Sequence, residues 1–151
     1  MRFLVQRVTE ASVRIQDKTA GKIQKGFLVF VGISQKDTYE IADKMIHKLL
    51  NLRIFEDEQG KTNLNLSAVD GGLLIISQFT LYADCKHGNR PSFTNAGKPD
   101  MAMELYEYIL RKCGETVSKV QQGEFGAEMQ VSLNNDGPFT VLLDSEELFE
   151  R

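Results

Sequence analysis

In 151 residues the chain carries 18 lysines and arginines against 21 aspartates and glutamates, for a net charge of −3 and a pI near 5.4. That length suits one domain over residues 1–151, burying about 68–70% of its unfolded surface, and that charge excludes a protein that coats a long run of DNA or RNA, while leaving open a grip on one short RNA end. Cys85 and Cys113, and His47 and His87, lack the spacing of a disulfide framework or a transition-metal centre, and no export signal or run of ~20 apolar residues appears; a cytoplasmic protein without metal, cofactor or membrane partner is expected.

Residues 1–16 alternate in part, with Phe3 and Val5, then Val13 and Ile15, set to face one way, and Asp17 to Gly21 reads as a turn. Gly26 to Ile33 is apolar throughout and rich in β-branched and aromatic residues, which predicts a central strand buried on both faces. Asp37 followed by Glu40 has the spacing of a capping box, and Ile41, Met45 and Leu49, with Ala42, Ile46 and Leu50, form the apolar stripe of a first helix. His47 sits beside that stripe with no cluster around it and reads as a surface residue. Leu52 to Phe55 suggests a short strand, and Glu56 to Lys61 a solvated turn without the ligand spacing of a calcium loop.

Leu73 to Ile76 is a buried strand that runs into Ser77-Gln78-Phe79-Thr80, so polar side chains appear where a sheet holds the backbone firmly and its end stays accessible. The irregular segment after it carries Lys86, Arg90 and Lys98, the best basic loop in the chain. Pro99 opens a second helix that stops before Gly114, with Ala102, Leu105, Tyr106, Ile109, Leu110 and Cys113 on its apolar face. Cys113 is thereby a core residue. After Gly123 to Met129 an alternating strand places Met129, Val131 and Leu133 on one side. Many strands with two substantial helices predict an α+β fold, a curled or barrel-like, mainly antiparallel sheet with both helices on one side.

Asn135-Asp136-Gly137-Pro138 reads first as the turn of a hairpin completed by Phe139 to Asp144. A second reading is open at the same residues. A Gly-Pro bond adopts cis at far lower cost than other bonds, although only roughly 5–6% of X-Pro bonds do so, and in cis the Gly137 and Pro138 carbonyls point nearly the same way, as two fixed acceptors for an ammonium group. For hydrolysis by a protein nucleophile, Ser77 or Thr80 needs a histidine and an orienting carboxylate; His87 with Asp84 or Asp144 is the one candidate set, and no Gly-x-Ser-x-Gly elbow accompanies it.

Ser77-Gln78-Phe79-Thr80, Asn135-x-Gly137-Pro138-x-Thr140 and Gly123-x-Phe125-x-Ala127-x-Met129, with Arg90-Pro91-Ser92-Phe93, together resemble the D-aminoacyl-tRNA deacylase family, formerly D-tyrosyl-tRNA deacylases, over essentially the whole chain. The resemblance implies hydrolysis of the ester between a D-amino acid, or glycine, and the terminal adenosine of tRNA. It implies a homodimer in which a Gly-cisPro motif, Gly137-Pro138, enters the partner's site and excludes L-aminoacyl groups. Ser77, Gln78, Phe79 and Thr80 would form the catalytic segment, with Thr80 as a positioning residue or, alternatively, a nucleophile. Phe125 and Met129 would bind the adenine, although both also read as ordinary core on an alternating strand. Lys86 and Arg90 would contact the acceptor end. The alternatives from other classes are a non-catalytic dimer that binds RNA ends and a Ser/Thr-His esterase.

Overall fold

The computed structural model describes residues 1–150, except for the side chain of Pro138. Its long first strand, β1 (Arg2–Ile15), turns at Gln16 and Asp17, both at positive φ, into β2 (Lys18–Ile23), and β3 (Gly26–Gly32) leads to helix α1 (Tyr39–Leu50). A two-residue β4 (Phe55–Glu56) and β5 (Thr62–Leu64) pair in a small ribbon before β6 (Gly72–Ser77). A 3₁₀ turn over Phe79–Tyr82 follows, then α2 (Pro99–Gly114), β7 (Val120–Gln122), the long β8 (Gln130–Asp144) and a short α3 (Ser145–Phe149).

The main sheet runs β2-β1-β3-β6-β7, with β8 on the other edge of β1. β1 pairs antiparallel with β2, β3 and β8, whereas β3 to β6 and β6 to β7 are parallel. The sheet curls until Gly21 of β2 meets Gln122 of β7, where an added Cβ would stand 2.8 Å from the Gln122 carbonyl oxygen. The result is a nearly closed mixed β-barrel with α1 and α2 on its outside and a third, short helix after β8.

Two cores follow from that shape. Phe27, Val29 and Val31 of β3, with Leu73 and Ile75 of β6, face Met45 and Leu49 of α1 and Leu105, Tyr106 and Ile109 of α2. Leu28 of β3 and Leu74 and Ile76 of β6 face the barrel interior with Val8, Ala11, Val13 and Ile23. The continuous apolar runs of β3 and β6 are therefore buried on both faces, as their composition predicts. Each large side chain fully buried there contributes about 1.5–3 kcal/mol, against about 0.3–0.5 kcal/mol for an exposed pair such as Lys44–Glu40, so the helices are held by this layer.

Four local expectations are corrected. Phe3 and Val5 lie in the helix-side core and Val13 in the barrel interior, because the register shift between Val8 and Glu10, with one extra residue in β1, turns that strand over. The turn after β1 is confined to Gln16 and Asp17, and Lys18 to Gly21 already belong to β2. The α1 cap is Thr38, whose Oγ1 accepts from Ile41 N at 3.2 Å. Asp37 is instead buried, accepting from the N-terminal ammonium and from Ser34 N, both at 2.7 Å.

The fourth correction concerns residues 135–140, which form no hairpin. Residues on both sides of Asp136-Gly137-Pro138-Phe139 pair with the same strand, Asn135 opposite Val8 and Thr140 opposite Gln6, so the four residues rise as a bulge opposite Arg7. A hairpin would need Phe139–Asp144 to fold back on Gln130–Asn135. β1 outcompetes that pairing because it is long enough to take both segments.

Candidate active site

Ser77 ends β6, and the chain then tightens into the turn Phe79–Tyr82. Gln78 N donates to the Val31 carbonyl at 2.8 Å, pinning the start of the turn to β3, and Leu81 N returns to the Gln78 carbonyl at 3.2 Å. The Gln78 side-chain amide donates to Thr80 Oγ1 in a short contact. Phe79 is 56% exposed, an unusual state for a phenylalanine, and meets Phe93 edge to face at 5.0 Å between centroids.

A cleft of about 740 Å³ opens beside this turn. Ser77, Gln78 and Phe79 form one wall, Phe93, Thr94 and Lys98 another, and Phe125, Ala127 and Met129 a third. Its floor is the apolar end of the sheet, Val31, Ile33 and Ile76, and its volume lies within the ~300–1,000 Å³ usual for small-ligand sites. Three segments far apart in sequence are thus brought to one place. Thr80 is not among the lining residues and is linked to the cleft through the bond it accepts from Gln78.

Phe125 and Met129 satisfy both of their readings in part. Phe125 packs against Tyr106 at 6.1 Å and touches the helix-side core, while its other surface lines the cleft. The segment carrying them is irregular, with Gly126 at φ +78°, and β8 begins only at Gln130. A Cβ at Gly123 would take the place of the Met129 sulfur, so a larger residue there would push the Met129 side chain aside. Beneath this wall Tyr106 donates its hydroxyl to the Ile75 carbonyl at 2.7 Å, and burial pushes its pKa up to about 12. Burial does the same to the Cys113 thiol, also to about 12, which leaves it a packing residue.

The basic residues divide. Lys98 lines the cleft; Lys86 faces a separate crevice with Arg2, Tyr82 and Cys85; Arg90 lies exposed on the loop between them. The Ser/Thr-His-Asp set does not assemble. Among the described residues no side chain hydrogen-bonds to His87, Asp84 accepts from Lys86 N, and Asp144 is taken by Arg2 and Glu146 N.

The 136–139 bulge is held by Arg7, which no motif names, together with Asn135 of the motif itself. Arg7 is only 4% exposed; its Nε donates to the Asp136 carbonyl at 3.1 Å, its Nη1 to the Ile54 carbonyl at 2.6 Å, and its guanidinium lies 4.4 Å from the Phe139 ring centroid. The Asn135 amide closes the base by donating to the Arg7 and Phe139 carbonyls at 2.9 and 3.1 Å. At the tip, an alanine Cβ on Gly137 would find no atom nearer than 4.0 Å. Pro138, named from the motif, has its side chain outside the described residues. Gly137 does not line the cleft of its own chain.

A family model described as D-Tyr-tRNA(Tyr) deacylase matches residues 4–144, from the third residue of the β1–β3 pairing to the end of β8. The chain belongs to this deacylase family. Curated D-aminoacyl-tRNA deacylases from Clostridium novyi and Thermosipho africanus are 54% and 51% identical to it over 149 residues, covering 99% of this chain and all of each relative. The deacylase fold is also seen in the solved structure of a c-Myc DNA Unwinding Element Binding Protein, at TM-score 0.89 and 39% identity, over 95% of this chain and 98% of that one. A second, described as a "probable eukaryotic D-amino acid tRNA deacylase", superposes at TM-score 0.79 with 17% identity over 94% and 97% of the two chains and speaks for the fold alone. Among the described residues no helix of this deacylase is long and apolar enough to cross a membrane.

Proposed function

We propose that this protein, an aminoacyl-tRNA hydrolase by family, cleaves the ester joining D-amino acids or glycine to the terminal adenosine of tRNA in the cytoplasm, and spares L-aminoacyl esters. The observation that carries this reading is the single cleft in which the Ser77-Gln78-Phe79 wall faces Phe125 and Met129. The adenine stacks on the free surface of Phe125 beside the Met129 thioether, which places the 3′-terminal ribose and its ester toward residues 77–80. Lys98 at the rim, with Lys86 and Arg90 on the adjoining loop, meets the few phosphates nearest the terminus.

The ester is already activated, so orientation and charge stabilisation suffice. The N–H groups of Phe79 and Thr80 open the 3₁₀ turn, where no partner exists within the turn, and supply donors to the oxyanion of the tetrahedral intermediate. Thr80 Oγ1 already accepts a hydrogen bond from Gln78 and has no base to take its proton, so it positions the substrate. Water attacks with help from the neighbouring ribose 2′-hydroxyl. No protein nucleophile is consumed.

Stereochemical selection comes from a second copy of the chain. The edge of β8 away from β1 has no strand partner among the described residues, and Leu133 and Leu142 on that strand are 37% and 52% exposed. A two-fold pairing through this surface carries the Gly137-Pro138 tip, in the cis form, into the partner's cleft, and gives two equivalent sites. Backbone carbonyls at the tip hold the amino group and leave no room for an L side chain. Hydrolysis of glycyl-, D-aminoacyl- and L-aminoacyl-tRNA at matched enzyme concentration tests the reading. Glycyl and D esters are expected to be cleaved whatever the side chain. If glycyl-tRNA survives as the L esters do, the site must grip the D side chain and steric exclusion fails.

A further inference from the structure

The start of the turn Phe79–Tyr82 is tied to β3 by the Gln78 N–H, and its far end is tied to the barrel by Arg2, which lies outside every signature motif. Arg2 opens β1, in register with Gly32 of β3 on one side and Asp144 of β8 on the other. Its guanidinium makes three contacts at once. Nε donates to Asp144 Oδ2 at 2.8 Å, Nη1 donates to the Leu81 carbonyl at 2.8 Å, and the group lies 4.6 Å from the centroid of the Tyr82 ring. Asp144 is fixed in turn, because its other oxygen accepts from Glu146 N at 3.0 Å. On the underside of the turn, Gly32 leaves the space that Leu81 fills: a Cβ there would stand 2.9 Å from Leu81 Cβ.

A four-residue 3₁₀ turn is weak when held only by its own bonds, here Leu81 N to the Gln78 carbonyl and Ala83 N to the Thr80 carbonyl. A charge-assisted bond from a guanidinium that is itself paired is stronger, and the planar fork serves carboxylate, carbonyl and ring together in a way that an ammonium cannot. Phe79 and Thr80 stand at one end of this turn, and Leu81 and Tyr82 at the other. Fixing the second pair fixes the first.

We propose that Arg2, locked by Asp144, is a positioning residue that holds Leu81 and Tyr82 so that Phe79 and Thr80 keep their place at the cleft. This rests on the role proposed above for residues 77–80 and extends it to a residue that touches no substrate. Losing the clamp lowers the rate of the bound ester and leaves its binding through Phe125 and Met129 intact.

Arg2→Met keeps the aliphatic stem and removes the fork, Arg2→Lys keeps the charge, and Asp144→Asn weakens the lock while retaining an oxygen for the α3 cap. Two quantities are read for each: amide hydrogen exchange at Leu81 and Ala83 in the free protein, and kcat and KM on a D-aminoacyl-tRNA. Arg2→Met is expected to speed exchange at both amides and to lower kcat, each about tenfold, with KM held within about twofold. Exchange in α1 and α2 stays as in the parent, and Arg2→Lys and Asp144→Asn fall between. Unchanged exchange at Leu81 and Ala83 overturns the clamp, as does faster exchange with undiminished kcat. Loss of protection throughout Arg2→Met, with Asp144→Asn normal in both readouts, also overturns it. A parent protein inactive on every aminoacyl-tRNA would instead sink the functional reading, and the exchange measurements would still decide whether Arg2 holds the turn.

Discussion

Around the cleft, each unusual residue has a neighbour in its own chain that accounts for it, whereas the tip of the 136–139 bulge has none. Gly123 lies against the Met129 sulfur, which fills the space beside it, and half-exposed Phe79 is braced by Phe93. The bulge is held as firmly at its base, by buried Arg7 and by Asn135, yet Gly137 faces open space. Local order costs conformational entropy, of the order of 1–2 kcal/mol per residue fixed. A base held this firmly, beneath a glycine with only the Asn135 oxygens about 4.0 Å from an added Cβ, is what the proposed entry of the tip into a second chain's cleft requires. Substitutions in the cleft wall should therefore disturb fold and function together, and substitutions at the tip should disturb function alone.

The sharpest way to break that contrast is Gly137→Ala. The site has room for a methyl group and lies on exposed backbone, so stability should stay within about 0.5 kcal/mol of the parent in denaturant unfolding. Deacylation of D-aminoacyl-tRNA should fall by about 100-fold, because an added methyl at the point of closest approach to Cα displaces the substrate by the order of 1 Å. Full activity in a normally folded Gly137→Ala protein would mean that the tip does not enter a site. A matching loss of stability would mean that the glycine serves its own chain after all.

Phe125→Ala sits on the other side of the contrast and should show both effects. Removing the ring loses stacking on a terminal base, about 1–3 kcal/mol of substrate affinity read as a raised KM. It also opens a gap against Tyr106, so the melting temperature should fall with it. An unchanged KM would show that the ring is only core.

Much of the scaffold was legible because it depends on local pattern: the apolar runs of β3 and β6, the stripe of α1 and the Pro99 start of α2 lie where sequence places them, although α2 runs on through Gly114, before which the sequence predicts its end. What was not legible depends on partners far away in the chain. Asp37 and Thr38 are both good caps, and the choice falls to Thr38 because the N-terminal ammonium, 36 residues away, claims Asp37. Asn-Asp-Gly-Pro has hairpin composition, and only the length of β1 makes it a bulge. Arg7 follows Phe3 and Val5 at alternate positions, and nothing in that local pattern shows the bulge it supports. The site divides in the same way. The motifs marked Ser77, Gln78, Phe79, Phe125 and Met129, which one cleft gathers, but gave no sign of Gln35 or Thr94, which join its wall through a bond from the Gln35 amide to the Thr94 carbonyl at 2.6 Å.

The smallest effect is expected at Thr80, and it bears on how much chemistry the cleft wall performs. The Thr80 hydroxyl accepts from Gln78, and among the described residues no histidine or carboxylate contacts it. A nucleophile needs a base for its proton, and His87 does not reach this turn. Thr80→Ala removes one hydroxyl and leaves the N–H groups of Phe79 and Thr80, and the clamp on Leu81, untouched. Losing one neutral hydrogen bond of about 1–1.5 kcal/mol lowers kcat by no more than about tenfold, with KM and melting temperature unchanged. A fall of about 10⁴-fold or more in a folded protein that still binds tRNA would restore covalent catalysis through Thr80. It would also place the chemistry in a side chain of the turn, where the proposed mechanism puts it in the turn's backbone.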